Sequence, residues 1–187
     1  WTESREPPPE LLGTMLPYQK EGLAWLCKQE EGEVKGGILA DEMGMGKTMV
    51  CISLVLANPA KPNATRKTTL VIVNNTLVQQ WYDECKRYAP KLKIQKHYSS
   101  TKVKSEATML GSDIMISTPH MKLPGTAPWN FHRVIIDESH LFDHAGGTGW
   151  GSKVHSIRAS MHSRSLWLVT GTPLPVNGSL YFQLRLL

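Results

Sequence analysis

The sequence lacks the long apolar runs and paired cysteines that are typical of membrane-spanning or disulfide-bonded proteins. No stretch reaches about 18 consecutive apolar residues, the length needed for a membrane helix. The 187 residues include three cysteines, Cys27, Cys51 and Cys85, without a paired spacing. We expect buried, reduced thiols, which favours the cytosol or the nucleus over a secreted setting. The first residues have no apolar h-region, so we also expect no signal peptide.

Signals for a zinc site or a serine hydrolase are weak as well. His140 and His144 are spaced i, i+4, which suits Zn²⁺ binding on a helix. The residues between them lack the glutamate of a metalloprotease motif, and no third ligand is indicated. Ser139 and Ser165 have no Gly-x-Ser-x-Gly context, which argues against a hydrolase nucleophile.

The charge distribution leaves two interpretations open. Apolar residues make up 41% and charged residues 20%, which is ordinary for a globular chain, and the net charge is +5. Between Lys61 and Lys104 lie ten basic residues against Asp83 and Glu84, a local net charge of +8. Such a segment can follow nucleic-acid phosphates, or it can be the solvated face of helices and loops.

The most informative segment, residues 41–48, reads Asp-Glu-Met-Gly-Met-Gly-Lys-Thr. It follows an apolar run at 37–40 and leads into a helix-like apolar stretch at 49–56. Strand, tight turn, Gly-Lys-Thr and helix together predict a phosphate-binding loop. The strict pattern has glycine where this chain has Asp41, so only the second half of the general motif matches. The alternative is a chance Gly-Lys-Thr on a solvated turn.

The residue types in this loop suit a polyphosphate. Gly44 and Gly46 allow backbone N–H groups to approach phosphate oxygens, and the following helix adds the positive end of its dipole. Lys47 would supply a point charge for the β- and γ-phosphates. The Thr48 hydroxyl would bind Mg²⁺.

A second element of a nucleotide site is predicted at residues 133–140, which read Arg-Val-Ile-Ile-Asp-Glu-Ser-His. Residues 134–136 predict a buried parallel strand, which places Asp137 and Glu138 at its carboxyl end, where open α/β sheets bind ligands. Asp137 could hold Mg²⁺ through its water shell, and Glu138 could polarise the attacking water as a general base. Alone, two carboxylates after a strand are also common as solvated turn residues.

These segments resemble the SWI/SNF-type DNA translocases, a branch of the superfamily-two helicase-like ATPases. Residues 41–48 are similar to motif I of that family, with Met45 for the usual leucine. Residues 16–26 are similar to its adenine-recognition segment, in which the residue matching Gln19 reads the base. The resemblance implies that ATP is bound by Gln19, Asp41, Gly44, Met45, Gly46, Lys47 and Thr48, and Mg²⁺ by Thr48 and Asp137.

Four further segments match in the family's order: 70–81 to motif Ia, 116–119 to motif Ib, 137–140 to motif II and 169–173 to motif III. The resemblance implies DNA-backbone contacts at Thr76 and Thr118. It implies catalytic roles for Lys47, Asp137, Glu138 and His140, with His140 linking the γ-phosphate end to motif III. In motif III the coupling residues would be Thr170, Gly171 and Thr172. Departures from the usual family residues stand at Asn74, Pro119 and 175–176.

The predicted fold class is α/β, a RecA-like P-loop NTPase lobe with a mainly parallel sheet and helices on both faces. Residues 1–14 form a Pro-rich N-terminal segment, and 15–187 form the lobe. Strands are predicted near 37–40, 69–73, 93–97, 113–117, 133–136 and 165–169. Helices are predicted at 18 to about 30 and near 47–57, 76–88, 102–109, 151–161 and 177–186. Three tryptophans, Trp25, Trp81 and Trp167, are predicted core residues.

The predicted function is that of an ATP-binding motor lobe of a DNA-dependent ATPase, of the chromatin-remodelling or DNA-repair type. Only the first of the family's two lobes is expected here; the second supplies arginine fingers, worth on the order of 10³ to 10⁵ in rate. We therefore expect nucleotide binding with little or no hydrolysis. The expected partners are duplex DNA, nucleosomes and the second lobe, in the nucleus. Two alternatives stay open: a degenerate lobe that binds nucleotide, DNA or protein without turnover, and, less favoured, an RNA helicase lobe.

Overall fold

A computed structural model of the chain describes residues 3–42, 46–123, 131–139 and 165–172. Four α-helices lie within these ranges: α1 (Pro17–Glu31), α2 (Lys47–Ala57), α3 (Val78–Tyr88) and α4 (Glu106–Leu110). Six strands accompany them: β1 (Gly36–Leu39), β2 (Thr69–Ile72), β3 (Ile94–His97), β4 (Ile114–Ser117), β5 (Arg133–Asp137) and β6 (Ser165–Val169). None of the helices in these ranges is long and apolar enough to span a membrane.

The six strands form one parallel sheet in the order β1-β6-β5-β2-β4-β3. Their sequences are short apolar runs rather than alternating patterns, as expected for strands that are covered on both faces. Because every strand is parallel, all carboxyl ends lie along one edge of the sheet. The segments after β1, β5 and β6, which contain the predicted nucleotide-site residues, therefore meet at that edge.

Two apolar clusters cover the two faces of the sheet. On one face, Val71 belongs to a cluster with the buried sides of α1, α2 and α3. On the other face, Leu70 and Ile72 pack in a cluster that contains Met109 of α4 and Phe131. Successive residues of β2 thus point to opposite cores, as the two-residue period of a strand requires. The predicted RecA-like α/β lobe with helices on both faces is confirmed.

The predicted helix at 102–109 is wrong at its start. Helix α4 begins only at Glu106, where the Ser105 side chain accepts a hydrogen bond from the Thr108 amide (3.1 Å) and so caps the first turn. Residues before the cap are held differently, because the Val103 amide donates to Nδ1 of buried His97 (3.0 Å). The predicted helix at 76–88 instead begins with a 3₁₀ turn, Asn75–Leu77, before α3. The predicted helices at 151–161 and 177–186 lie outside the described residues.

The N-terminal segment, residues 3–15, has neither helix nor strand but is packed on the lobe. Its Arg5 amide donates to the Lys20 carbonyl (3.1 Å), and its Leu12 amide donates to the Tyr88 carbonyl (2.8 Å) at the end of α3. The side chains of Leu11 and Met15 are buried in the apolar cluster that also contains residues of α1, α2 and α3. Because these contacts join it to α1 and α3, the segment is part of the folded unit.

A buried polar network ties α1 to the amino ends of the strands. Arg133 donates from Nε (2.5 Å) and Nη2 (2.6 Å) to the two carboxylate oxygens of Glu30, and both side chains are at most 2% exposed. Glu30 also accepts from Trp167 Nε1 (2.9 Å) and Asn58 Nδ2 (2.6 Å), and Arg133 donates to Thr69 Oγ1 (3.1 Å). Burial alone would raise the pKa of Glu30, but the hydrogen bonds and charge of Arg133, with the bonds from Trp167 and Asn58, lower it below its ordinary value.

Candidate functional site

Gly46 occupies a backbone conformation that makes glycine necessary in the loop between β1 and α2. It is the N-cap residue of α2, with φ 70° and ψ 35° in the left-handed region. A β-carbon at this position would overlap the side-chain amide nitrogen of Gln19. The left-handed turn brings the first amides of α2 to the carboxyl edge of the sheet, where the positive end of the helix dipole favours an anion. Gly44 and Met45, two of the predicted loop residues, lie outside the described residues.

The side chain of Lys47, the first residue of α2, folds back onto the start of the preceding loop. Its ammonium group donates to the carbonyl oxygens of Asp41 and Glu42, at 2.9 Å each. Asp41 therefore contacts the lysine through its backbone. The two carbonyl groups at the start of the loop thus hold the ammonium, which is the group predicted to neutralise phosphate charge.

Gln19 connects the start of α1 to the same loop. Its side-chain oxygen accepts a hydrogen bond from the Leu16 amide (2.8 Å), which satisfies a backbone donor at the helix N-terminus. Its amide nitrogen faces Gly46. The residue is only 6% exposed, so its orientation is held by packing as well as by the cap.

These groups line a pocket of about 420 Å³ at the carboxyl edge of the sheet. Six of the predicted site residues share it: Gln19, Gly46, Lys47, Thr48, Asp137 and Glu138. The structure thus brings the second half of the phosphate loop and the two carboxylates after β5 around one cavity. Its volume lies within the usual range for small-molecule and cofactor sites.

The pocket is also lined from α3 and the turn before it, by residues that were not predicted as site residues. These are Leu77, Gln80, Glu84 and Tyr88. These positions are three, four and four residues apart, the spacing of a single helix face. Gln80 Nε2 donates to Glu84 Oε1 (3.1 Å), so the two polar members of the stripe hold each other. Their helical spacing, which begins within motif Ia, was the available signal.

Asp137, the last residue of β5, has both carboxylate oxygens fixed by hydrogen bonds. Its Oδ2 accepts from the indole N–H of Trp81 (2.7 Å), and its Oδ1 accepts from the Glu138 amide (2.8 Å). Trp81 is 2% exposed and Asp137 8% exposed. Trp81 was predicted as a core residue and is buried, but its contact with a site carboxylate was not predicted.

Glu138 follows with φ 50°, a conformation that a non-glycine residue rarely adopts. Such a conformation costs of order 1–3 kcal/mol and persists only where the surroundings impose it. Here the backbone turns sharply at the end of β5, and Glu138 lines the pocket beside Asp137. His140, the next predicted site residue, lies outside the described residues.

The segment after β6 is bonded to the strand that leads into the loop. The Thr170 amide donates to the Leu39 carbonyl (3.0 Å), and Thr170 Oγ1 accepts from the Thr172 amide (3.1 Å). Thr170 is fully buried, Gly171 is half-buried and Thr172 is exposed. The three predicted coupling residues thus lie beside the end of β1, although none of them lines the pocket.

The two predicted DNA contacts lie on the neighbouring strands of the same edge. Thr76 is exposed in the 3₁₀ turn after β2, whereas Thr118 is 5% exposed at the end of β4. Among the basic residues of the central segment, Lys86 and Lys96 approach the Tyr82 ring at 5.7 and 4.7 Å from its centroid. Part of the positive charge therefore lies over an aromatic ring on the surface of α3 and β3.

The three cysteines are free thiols in the core, as predicted. Burial raises the pKa of Cys27 and Cys51, and it raises the pKa of Cys85 to about 12. Over the part of the chain that the structure describes, no group of three or more histidine, cysteine or acidic side chains could hold a metal ion. A site built from Thr48 and Asp137 would need ligands from water and from a bound phosphate.

The family model described as SNF2-related domain matches residues 18–185. The chain is an SNF2-related domain. The predicted resemblance to SWI/SNF-type ATPases is thereby confirmed.

Similar proteins include two fungal helicases. The SNF2-related domain is 40% identical over 116 residues to an uncharacterized ATP-dependent helicase of Schizosaccharomyces pombe, covering 59% of this chain and 11% of that protein. It is 31% identical over 182 residues to the helicase SWR1 of Eremothecium gossypii, covering 91% of this chain and 12% of that protein. The domain thus spans about a tenth of the length of these relatives.

Solved structures give the same architecture. The SWI2/SNF2 ATPase core of Sulfolobus solfataricus in complex with dsDNA matches with a TM-score of 0.78 and 24% identity, covering 99% of this chain and 38% of that one. The SWI2/SNF2 ATPase core domain of the same organism matches in a second structure with a TM-score of 0.72 and 25% identity, covering 96% of this chain and 36% of that one. At 24% identity, the similarity to the structure with dsDNA shows a shared fold only.

Proposed function

We propose that this domain is the nucleotide-binding lobe of a DNA-dependent ATPase motor that remodels chromatin or repairs DNA. The observation that carries the proposal is the shared pocket. Gly46, Lys47 and Thr48 at the start of α2 line it together with Asp137 and Glu138 at the end of β5. An anion-binding helix terminus and two carboxylates in one pocket suit a metal-bound polyphosphate.

The residues present fit ATP with Mg²⁺. The left-handed Gly46 leaves open the space that a β-carbon would fill, and Lys47 offers its ammonium group to the β- and γ-phosphates. Thr48 and Asp137 offer a hydroxyl and a carboxylate oxygen, the hard donors that Mg²⁺ prefers alongside water and phosphate. When bound, Mg²⁺ neutralises charge on the phosphates. Gln19, with its amide nitrogen at the loop, would contact the base.

Glu138 would accept a proton from the attacking water, as its place in the pocket beside Asp137 allows. His140 and the coupling segment, Thr170, Gly171 and Thr172, would transmit the state of the γ-phosphate. The bond from Thr170 to Leu39 supports this, because it joins that segment to the strand before the phosphate loop. Asp41, Gly44 and Met45 would complete the loop.

The proposed macromolecular partners are duplex DNA and, through it, nucleosomes, in the nucleus. Support comes from the archaeal ATPase core in complex with dsDNA and from the similarity to SWR1 helicases. Thr76 and Thr118 would contact the DNA backbone from adjacent strands. A second lobe, elsewhere in the same protein, would supply arginine to the γ-phosphate. We further propose the domain division given above, with residues 1–14 as the N-terminal segment and 15–187 as the lobe.

Nucleotide binding and hydrolysis, measured on the same samples, test the proposal. We expect Lys47→Ala to bind Mg·ATP about 10- to 100-fold more weakly, since a hydrogen bond to a charged group is worth about 1.5–3 kcal/mol. Glu138→Gln should keep binding but lose any DNA-stimulated hydrolysis. Lys61→Ala, an exposed lysine away from the pocket, is the matched control for nucleotide binding and should bind Mg·ATP as the unaltered chain does.

The outcomes separate the motor lobe from its alternatives. Binding that depends on Lys47, with little turnover, would support a motor lobe that needs its second half. Strong DNA-stimulated turnover by the chain alone would refute that need, unless two chains pair. Failure to bind any nucleotide would leave the degenerate module, which binds DNA or protein without ATP.

A further inference from the structure

Trp81 contacts the carboxylate that we propose to hold Mg²⁺, although it belongs to a different element. We infer that Trp81 is a positioning residue that ties Asp137 to α3, and through α3 to the candidate DNA contact at Thr76. The inference rests on the proposed function. It names the physical connection by which DNA binding would reach the metal side of the nucleotide pocket within one lobe.

The geometry of the contact holds the carboxylate in one orientation. The indole N–H of Trp81 lies 2.7 Å from Asp137 Oδ2, and the Glu138 amide lies 2.8 Å from Oδ1. Rotation of the carboxyl group about its bond to the chain would lengthen both hydrogen bonds. Because both side chains are at least nine-tenths buried, water does not readily replace the indole donor. The orientation of Asp137 therefore depends on where α3 lies.

Helix α3 in turn begins directly after the candidate DNA contact. Thr76 lies in the 3₁₀ turn Asn75–Leu77, and α3 starts at the next residue, Val78. Val78 and Trp81 are both buried against the sheet, so the first turn of α3 moves with the ring that holds Asp137. A shift of the 3₁₀ turn on a DNA backbone would thus reach the metal carboxylate through one helical turn and one hydrogen bond. Thermodynamic reciprocity requires that Mg·nucleotide alter DNA affinity by the same factor.

A second tryptophan provides a matched comparison. Trp167 is 1% exposed and also donates its indole N–H to a buried carboxylate, Glu30 (2.9 Å). That carboxylate belongs to the network at the amino ends of the strands and does not line the pocket. Replacing either tryptophan by phenylalanine removes one N–H donor and keeps a large ring in the core. Only the Trp81 substitution removes a donor from a residue of the nucleotide site.

The first test is the Mg²⁺ dependence of ADP binding by the whole chain, measured for the unaltered protein, Trp81→Phe and Trp167→Phe. For Trp81→Phe we expect the Mg²⁺ concentration that half-saturates binding to rise about 10-fold, the lower end of what loss of a ligand-orienting partner costs. Binding of ADP in EDTA should not change. Trp167→Phe should lower the melting temperature and leave the Mg²⁺ dependence unaltered. An unchanged Mg²⁺ dependence in Trp81→Phe, or an equal rise in Trp167→Phe, would overturn the inference.

A second test needs no substitution of either tryptophan. In ¹H–¹⁵N spectra, Asp137→Asn should shift one slowly exchanging indole signal and Glu30→Gln should shift a different one. Duplex DNA added to the unaltered chain should move the signal that responds to Asp137. If Asp137→Asn moves no indole signal, Trp81 does not position that carboxylate. If the unaltered chain binds no nucleotide, the proposed function fails, while the indole shifts still decide whether Trp81 holds Asp137.

Discussion

Replacing Arg133 with methionine is expected to destabilise the fold strongly, because it leaves the Glu30 carboxylate buried without a counter-charge. The two side chains are 1% and 2% exposed, and two of the hydrogen bonds to Glu30 come from Arg133. Trp167 and Asn58 each donate one more bond to Glu30, and these remain in the variant. Neither of the remaining donors carries a charge.

The expected loss is about 3–5 kcal/mol of unfolding free energy at neutral pH, the usual cost of removing one partner of a buried ion pair. Typical domains have about 5–15 kcal/mol in total, so the variant should stay folded but with a clearly lowered urea midpoint. Methionine fills much of the arginine stem volume, which limits the packing contribution to the loss. The double variant Glu30→Gln, Arg133→Met removes both charges and should recover about half of the loss or more.

The pH dependence of unfolding independently tests whether the Glu30 carboxylate stabilises the unaltered chain and destabilises Arg133→Met. In the unaltered chain the pKa of Glu30 is lowered, so its contribution to stability is present above the unfolded value near ~4.3 and is lost as pH falls through the folded value. In Arg133→Met the uncompensated carboxylate should have a raised pKa, so its cost is fully present at neutral pH and disappears on acidification. The stability difference between the two proteins should therefore shrink from pH 7 towards pH ~4.5.

Urea unfolding followed by tryptophan fluorescence, at several pH values, measures all of these quantities. Equal slopes in urea would show that the variants unfold to comparable states. A loss below about 1 kcal/mol for Arg133→Met would refute the reasoning, given what buried pairs usually cost. So would a double variant that is no more stable than Arg133→Met, or a difference that grows as the pH falls.

Two further predictions concern the loop and the thiols. Gly46→Ala should lower the free energy of unfolding by about 1–3 kcal/mol and weaken nucleotide binding. The reason is that the left-handed φ of Gly46 and its contact with Gln19 leave no room for a β-carbon. Unchanged affinity in a nucleotide titration would contradict this. Native protein at pH 8 should react very slowly with a thiol reagent at all three cysteines. Burial raises the pKa of Cys85 to about 12 and also raises the pKa of Cys27 and Cys51, which leaves little reactive thiolate. All three thiols should react in urea, and a fast phase without denaturant would contradict the prediction.

Local patterns were sufficient to predict most of the fold and half of the pocket. Apolar runs such as 114–117 and 133–137 predict buried parallel strands, and the order of strands and helices predicts the layers. Gly46, Lys47 and Asp137 were predicted because their roles depend on residue type next to a strand or helix end. The start of α4 was missed although Ser105 with Thr108 is a local N-cap signal.

Contacts between distant parts of the chain were not accessible in the same way. Trp81 and Asp137 are 56 positions apart, and Glu30 and Arg133 are 103 apart. A tryptophan in an apolar pattern predicts burial, but nothing local says which carboxylate its N–H will meet. Arg133 stands at the start of an apolar strand, where an arginine usually faces solvent. Its burial depends on α1 bringing Glu30 to the same place.

The pairing of β1 with β6 has a consequence for how the protein is made. Gly36 of β1 pairs with Leu166 of β6. Strand β1, which leads into the phosphate loop, can therefore pair only after the ribosome has added 130 further residues. At about 5–20 residues per second, synthesis of that interval takes roughly 6–26 s. Among the described residues β1 pairs with no other strand, so until then it is left with its contacts to helices such as α1. Binding of nucleotide to nascent chains should therefore begin only after β6 has left the ribosome, so that it reports completion of the sheet.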